Sequence, residues 1–307
     1  LVFAWHVIKL YRPSFHETSK WNYTMADRLG VWPLLDHYHE PLVSLTSIHQ
    51  DRAGLARELP GLDLRMPAQL ELLGKLRYEA ELRELDGRVA DEFAATYDNL
   101  AFGPGDAEIF YALIRHLKPK RVVEVGAGHS TRFAKAALVK NAAEGADGRL
   151  VCIEPYESPW LEQLGVEVIR EPVEALDARF FANLERGDIL FIDSSHVVRP
   201  QGDVLHLFHR VLPHLGPGVV VHVHDIFTPR DYPLQWLERR WFWTEQYVLE
   251  ALLVNNDRYE VALAVNHLFH EARQALTEAC PVLASRPGKE PGSFWLRVYD
   301  PRESSTP

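Results

Sequence analysis

Cysteine is almost absent: Cys152 and Cys280 are the two thiols in 307 residues. Two thiols build neither a disulfide framework nor a thiolate zinc site. Basic charge is also in deficit, with 33 Lys and Arg against 43 Asp and Glu and a formal charge of −10. Such a surface repels phosphate backbones and no local basic patch offsets it, so no nucleic-acid partner is expected. Long apolar runs are missing too. No segment reaches the ~18 uninterrupted apolar residues of a membrane span. The opening Leu1–Leu10 is apolar but carries His6 and Lys9, with no small-residue cleavage site behind it. It reads as neither signal peptide nor anchor. The expectation is a cytoplasmic protein with no membrane partner. The chain begins at Leu1 rather than Met, and we read it as trimmed, its natural beginning absent.

What is present points to a large folded core. Hydrophobic residues make up 47% and aromatics 11%, which excludes disorder as the general state. The length suits one catalytic-size domain plus an appendage. Fifteen histidines in an acidic chain invite a search for acid–base or metal chemistry.

The texture changes along the chain. Residues 1–96 have few β-branched runs and several helical ones. From Pro67 to Leu85, Leu70, Leu73, Leu76 and Leu82 recur near helical spacing with charges between them, predicting one amphipathic helix. These residues read as a helical cap or arm, a candidate surface for homo-oligomers. The boundary is expected within Tyr97–Gly105, where Asn99, Gly103, Pro104 and Gly105 break the periodicity. Over 97–307 strands and helices alternate. Asp106 is expected to cap a helix running through His116, with Pro119 stopping it. Short strands follow at Arg121–Val125, Leu150–Glu154, Val166–Ile169, Ile189–Asp193 and Gly218–His224, with helices over Thr131–Asn141 and Gly202–Leu212. Two late strands, Tyr259–Val265 and Ser293–Tyr299, complete seven. Short apolar strands alternating with helices predict an α/β fold: a doubly wound, mostly parallel, Rossmann-like sheet with an N-terminal helical extension. Ligands then sit at the C-terminal ends of the strands.

The first strand runs into Glu124-Val-Gly-Ala-Gly-His-Ser-Thr131. Glycines after a strand let a ligand approach the backbone, and the next helix offers free N–H groups. A dinucleotide fingerprint wants a third glycine where Thr131 stands. The plain alternative is an ordinary tight turn. Glu154, ending the second strand, is placed to accept both hydroxyls of a ribose.

These residues, with Pro155 behind Glu154, resemble the class I S-adenosylmethionine-dependent methyltransferases over about Asn99–Tyr299. The resemblance implies S-adenosylmethionine as cofactor, with Gly126, Gly128, Ser130 and Glu154 as contacts. Glu124, Thr131, Pro155, Asp193 and Ser194 are expected around it, and Glu171-Pro172-Val173 beside the adenine.

The fourth strand ends in Asp193-Ser194-Ser195-His196 and the fifth in His222-Val223-His224-Asp225. Both tips open onto one crevice, with His222 and His224 on one strand face. Two readings stay open. In one, His196 is a general base. In the other, Asp193, His224 and Asp225 hold a divalent metal that acidifies a substrate hydroxyl. The set is similar to the metal-dependent O-methyltransferases of macrolide sugars, in which the histidine of Asp-x-Ser-His acts as base and carboxylates hold magnesium. Asp193, Ser195, His196 and Asp225 match that pattern. His224 stands where those relatives have a carboxylate, which makes zinc, manganese or iron conceivable in place of magnesium. Catalytic roles are therefore expected for His196, His224 and Asp225.

Downstream, Trp236, Trp241, Phe242, Trp243 and Tyr247 are expected on an amphipathic helix packed on the sheet, with a lid over the acceptor as the alternative. Tyr156 and Trp160 are candidate walls of the cofactor pocket. The overall expectation is methyl transfer to a small-molecule acceptor, most simply at oxygen. A metal-dependent oxygenase or hydroxylase on the same fold, and a non-catalytic cofactor-binding subunit, are the alternatives.

Overall fold

The computed structural model describes residues 44–52, 54–86, 93–99, 101–156, 158–286 and 290–300, with Arg28, Gly30, His39, Pro41 and Leu42 besides. Most of the expected N-terminal arm over residues 1–43 lies outside these. The described chain falls into two compact units, Leu1–Ala53 with Leu234–Phe242, and Gly54–Pro233 with Trp243–Pro307.

The larger unit holds all seven strands. In chain order its elements are α1 (Met66–Lys75), α2 (Glu79–Asp86), α3 (Asp106–Leu117), β1 (Arg121–Val125), α4 (His129–Ala143), β2 (Arg149–Ile153), β3 (Glu167–Ile169), β4 (Ile189–Ile192), α5 (Asp203–His206, extended by a π turn over Leu207–Val211) and β5 (Val220–Val223). After α6 (Leu234–Glu238), which belongs to the smaller unit, come α7 (Glu245–Leu253), β6 (Tyr259–Ala264), α8 (Val265–Glu271), α9 (Arg273–Ala279), α10 (Pro281–Ser285) and β7 (Phe294–Val298). In the smaller unit, short 3-10 turns occupy Leu45–Ser47 and Gln50–Arg52, and the Trp236 and Trp241 rings meet edge to face at 5.7 Å.

The sheet order is β3-β2-β1-β4-β5-β7-β6. Strands β1 to β5 pair in parallel, and β7 runs antiparallel between β5 and β6. This is the expected doubly wound, mostly parallel sheet. Chain order reverses between β1 and β4, and a crevice opens at such a point beyond the strand ends. Strands β4 and β5 are buried along their whole length because helices cover both faces, which is why they read as apolar runs broken only by His222 of β5.

Some expected elements differ. The single helix over Pro67–Leu85 is two, α1 and α2, because Leu76–Tyr78 leave helical geometry between them. Both pack on the sheet unit: Leu73, Leu76, Leu82 and Leu85 are buried, and the wholly buried Gln69 accepts from Ala264 N at 2.7 Å. Tyr97 and Phe102 are buried in the same core. Asp106 does not cap α3. Gly105 takes the cap position, and Asp106 turns its carboxylate to the N–H groups of Gly292 and Ser293, at 3.0 and 2.8 Å.

Candidate active site

The turn after β1 needs its first glycine. Gly126 has φ +80°, and a Cβ there would overlap the Asp193 carbonyl oxygen at the tip of β4. Gly128 is different: it is extended at φ −171°, and a Cβ would meet open space. Its N–H donates to Thr131 Oγ1 at 3.0 Å, so Thr131 closes the first turn of α4 rather than facing a ligand.

Glu154 follows β2 and is pinned by two backbone donors. Ala127 N–H reaches Oε2 at 3.3 Å and Tyr156 N–H reaches Oε1 at 3.0 Å. A cavity of about 320 Å³ lies at these tips. Gly126, Glu154, Pro155, Tyr156, Asp193 and Ser194 line it, together with Pro172, Val173 and Arg199.

Several expected contacts sit elsewhere. Glu124 has no exposed surface; it lies under the turn, where Cys152 Sγ approaches Oε2 at 3.5 Å. Burial, partly offset by hydrogen bonds to the Ser130 and Thr131 hydroxyls, pushes its carboxyl up to about 7. Ser130 and Thr131 are buried beside it. Glu171 and Trp160 do not line the cavity; Trp160 stacks under the Arg132 guanidinium at 4.2 Å.

The second half of the crevice comes from β4 and β5. Sheet hydrogen bonds continue one residue past each strand, from Asp193 N to Val125 O (2.8 Å) and from His224 N to Ile192 O (2.9 Å). Asp193 and the His224-Asp225 pair are thereby brought side by side. Beyond them the backbone turns sharply. His196 and Asp225 both adopt left-handed geometry, at φ +60° and +56°. In a non-glycine residue this costs on the order of 1–3 kcal/mol and persists where surrounding contacts impose it. Those contacts are visible. Ser195 donates through N–H and hydroxyl to Asp203, both at 2.7 Å. Gly292, held by Asp106, packs against Asp225 and accepts from Ile226 N at 2.7 Å.

Three donor atoms converge here, one each from Asp193, His196 and Asp225, all within 4.8 Å of one another. His196 Nε2 is 3.3 Å from Asp193 Oδ1 and 3.7 Å from Asp225 Oδ2. The histidine expected to join the carboxylates was His224, and the geometry assembles His196 with them instead. His224 Nε2 comes within 3.6 Å of Asp225 Oδ1, but its ring is buried beside Phe102 at 5.2 Å. His222 is a core residue, stacked on Phe191 at 4.0 Å and tilted against Trp295 at 4.6 Å, with Nε2 3.1 Å from Ser293 Oγ. Burial holds its pKa well below 6.5.

The local charges decide the protonation. Burial disfavours a charged His196, but the hydrogen bonds and charges of Asp193 and Glu245 outweigh it, and its pKa stands well above 6.5. Burial likewise opposes a charged His224; the carboxylates of Asp225, Asp193 and Asp106 prevail and raise its pKa. Asp225 is pushed up to about 6 by burial, against the pull of His224 and His196.

Two neighbours complete the surroundings of His196: Trp243, already singled out among the downstream aromatics, and Glu245, which was not. Glu245, the first residue of α7, is fully buried and lies with Oε2 2.9 Å from His196 Nδ1. The Trp243 ring lies 4.2 Å from the imidazole, tilted by 32°. The expected aromatic helix does not form: α6 stops at Glu238, Arg240 turns left-handed, and Trp243 leads into α7. An acid opening a helix two residues after a tryptophan was the available signal for Glu245, and helix starts favour acids for ordinary electrostatic reasons.

Part of the chain is similar to known proteins. Residues 123–226 match the family described as a methyltransferase domain. An uncharacterized protein of Archaeoglobus fulgidus is 27% identical over 165 residues, spanning 50% of this chain and 74% of that protein. Among solved structures, the O-methyltransferase TomG from Streptomyces achromogenes, in complex with S-adenosylmethionine, is 18% identical with a TM-score of 0.37, covering 80% of this chain and 93% of its own. The apo structure of CalS11, a TDP-rhamnose 3'-O-methyltransferase of calicheamicin biosynthesis, is 14% identical with a TM-score of 0.42, covering 76% and 94%. The family match spans the stretch from β1 to just past β5, which carries the crevice residues at the strand tips. On that basis residues 123–226 are similar to a methyltransferase domain, set in a doubly wound, mostly parallel sheet.

Proposed function

We propose that the chain methylates a hydroxyl oxygen of a small-molecule acceptor, with His196 handling the acceptor's proton and a divalent cation held beside it. The observation that carries this reading is the convergence of Asp193, His196 and Asp225 at the β4 and β5 tips, next to a crevice that Asp193 also lines.

The cofactor half fits the residues present. Gly126 lines the crevice, Gly128 leaves the backbone open after β1, and Glu154 offers two anchored carboxylate oxygens for the hydroxyls of a ribose. S-adenosylmethionine supplies a methyl group on a positively charged sulfur. The chain's own part is alignment, exclusion of water and removal of a proton. Pro172 and Val173 offer apolar contact for a base at the far wall.

The acceptor half also has a coherent electrostatic logic. Without a cation, Asp193 and Glu245 keep His196 protonated at neutral pH, which is the wrong state for a base. A divalent cation on Asp193 and Asp225 would neutralise the charge that holds this proton. Nε2 would then be free to take the proton from the acceptor hydroxyl as its oxygen attacks the methyl carbon. Two carboxylates beside an imidazole suit magnesium less strictly than an all-oxygen set and admit manganese, zinc or iron. A second reading has its own support: all three donor atoms lie within 4.8 Å, so Nε2 itself is close enough to be a ligand. In that case the cation alone acidifies the hydroxyl. The buried setting of His196 and His224 suits a small acceptor that can enter the crevice, and the acidic chain disfavours a polyanion.

The test is transfer of a labelled methyl group from S-adenosylmethionine to a panel of hydroxylated and amino small molecules, with magnesium, manganese or chelator. Cation-dependent labelling of a hydroxyl supports the proposal. Labelling confined to amines, or unaffected by chelator, counts against it.

A further inference from the structure

His196 faces carboxylates on both ring nitrogens. Nδ1 is 2.9 Å from Glu245 Oε2, while Nε2 is 3.3 Å from Asp193 and 3.7 Å from Asp225. A neutral imidazole carries one proton, and the acceptor each nitrogen faces decides which of them keeps it. Asp193 and Asp225 draw that proton to Nε2, the nitrogen that has to be open for a base or a metal ligand. Glu245 opposes them.

The setting of Glu245 is fixed on every side. It has no exposed surface, and an unpartnered carboxylate so placed would be strongly disfavoured. Its other oxygen accepts from the Ser194 hydroxyl at 2.9 Å. The N–H groups of Thr244 and Glu245 both donate to the His196 carbonyl, at 2.8 and 3.1 Å. Val198 N donates to Thr244 Oγ1 at 2.8 Å. The start of α7 and the loop after β4 are thus tied together by five hydrogen bonds, the one to Nδ1 included, and the Trp243 ring covers one face of the imidazole. Resting on the reading of His196 as the group that handles the acceptor's proton, we propose that Glu245 is a positioning residue that keeps the His196 proton on Nδ1 and leaves Nε2 open to the crevice.

Glu245→Gln tests this with little change in shape. Ser194 Oγ already accepts the His196 N–H at 3.1 Å and donates toward Glu245, so the new amide oxygen stays on the Ser194 side. Its NH2 then faces Nδ1, which has to offer a lone pair, and the proton moves to Nε2. In ¹⁵N-histidine spectra of the full chain, the His196 signal is the one absent from His196→Gln. At a pH where the ring is neutral, it should report Nδ1–H in the wild type and Nε2–H in Glu245→Gln. Turnover should fall by about 10–100-fold, the usual effect of removing such an orienting partner, with S-adenosylhomocysteine affinity retained. Glu245→Asp, which can only accept, should keep Nδ1–H and recover part of the rate. A wild-type ring protonated on Nε2 overturns the inference even if neither Glu245 variant folds. Full activity in Glu245→Gln, with His196→Gln impaired, overturns this inference alone. Full activity in His196→Gln overturns the base assignment and this inference with it.

Discussion

Replacing Glu124 with glutamine removes a carboxyl that has no contact with solvent and lies directly beneath the cofactor turn. One of its oxygens has no hydrogen-bond partner among the described residues. Burial pushes this carboxyl from an ordinary 4.5 up to about 7. Each tenfold change in acidity corresponds to about 1.4 kcal/mol, so ionising it in the folded protein is about 3 kcal/mol costlier than in the unfolded chain. The sign follows from proton counting. Between pH 4.5 and 7 the folded state keeps a proton that the unfolded state has released, so stability falls as pH rises and levels off above 7. Glu108, also raised to about 7 by burial, adds to the same slope in the wild type, and the difference between variant and wild type removes its contribution. Urea unfolding at pH 5 and pH 8 measures that difference. Relative to wild type, Glu124→Gln should gain about 2–3 kcal/mol between the two. A constant offset from the new amide would not disturb this comparison. An unchanged difference at the two pH values would refute the assignment of a buried, proton-holding Glu124.

Three further outcomes follow from the site and the packing. His196→Gln should cut turnover by roughly 10²–10⁴, the usual contribution of a general base, while calorimetry shows nearly unchanged binding of S-adenosylhomocysteine; a fully active variant contradicts the assignment. Asp225→Ala should lose both bound metal and activity, with partial rescue by excess metal; metal content equal to wild type in a folded variant goes against the cation site. A chain starting at Tyr97 should aggregate or lose activity, because it uncovers the surfaces that bury Leu73, Leu76, Leu82 and Leu85; a soluble, fully active truncation would show that α1 and α2 are dispensable.

The sheet was legible because its central parallel strands are buried on both faces and bounded by turns. Arg121–Val125 and Ile189–Ile192 could hardly be anything else. The turn at Gly126 was legible for a local reason, since the close approach of Asp193 leaves no room for a Cβ. Glu154 was legible by its place at a strand tip, and it does line the cavity. What failed was anything that depended on which way a side chain turns after its strand ends. His224 follows β5 directly and looked the better partner for Asp193 and Asp225, yet the left-handed turns at His196 and Asp225 bring in His196. Asp106 had the sequence position of a helix cap but serves a loop 186 residues away. Glu245 lies 49 residues from the histidine it holds, and no local pattern encodes a pairing at that separation. The break between α1 and α2 was hidden because leucines continue at helical spacing on both sides of it.

The most direct test of the whole account is calorimetric titration of S-adenosylhomocysteine into the wild type and Glu154→Ala. The Glu154 oxygens are oriented by Ala127 and Tyr156 at the wall of the crevice, where the account has them accept the ribose hydroxyls. Each such bond to a carboxylate is worth roughly 1.5–3 kcal/mol, and losing the pair should weaken binding by about 10²-fold or more. The account predicts clear binding to the wild type and that loss in a folded Glu154→Ala. Equal affinity in the two proteins, or no binding to the wild type, would contradict it.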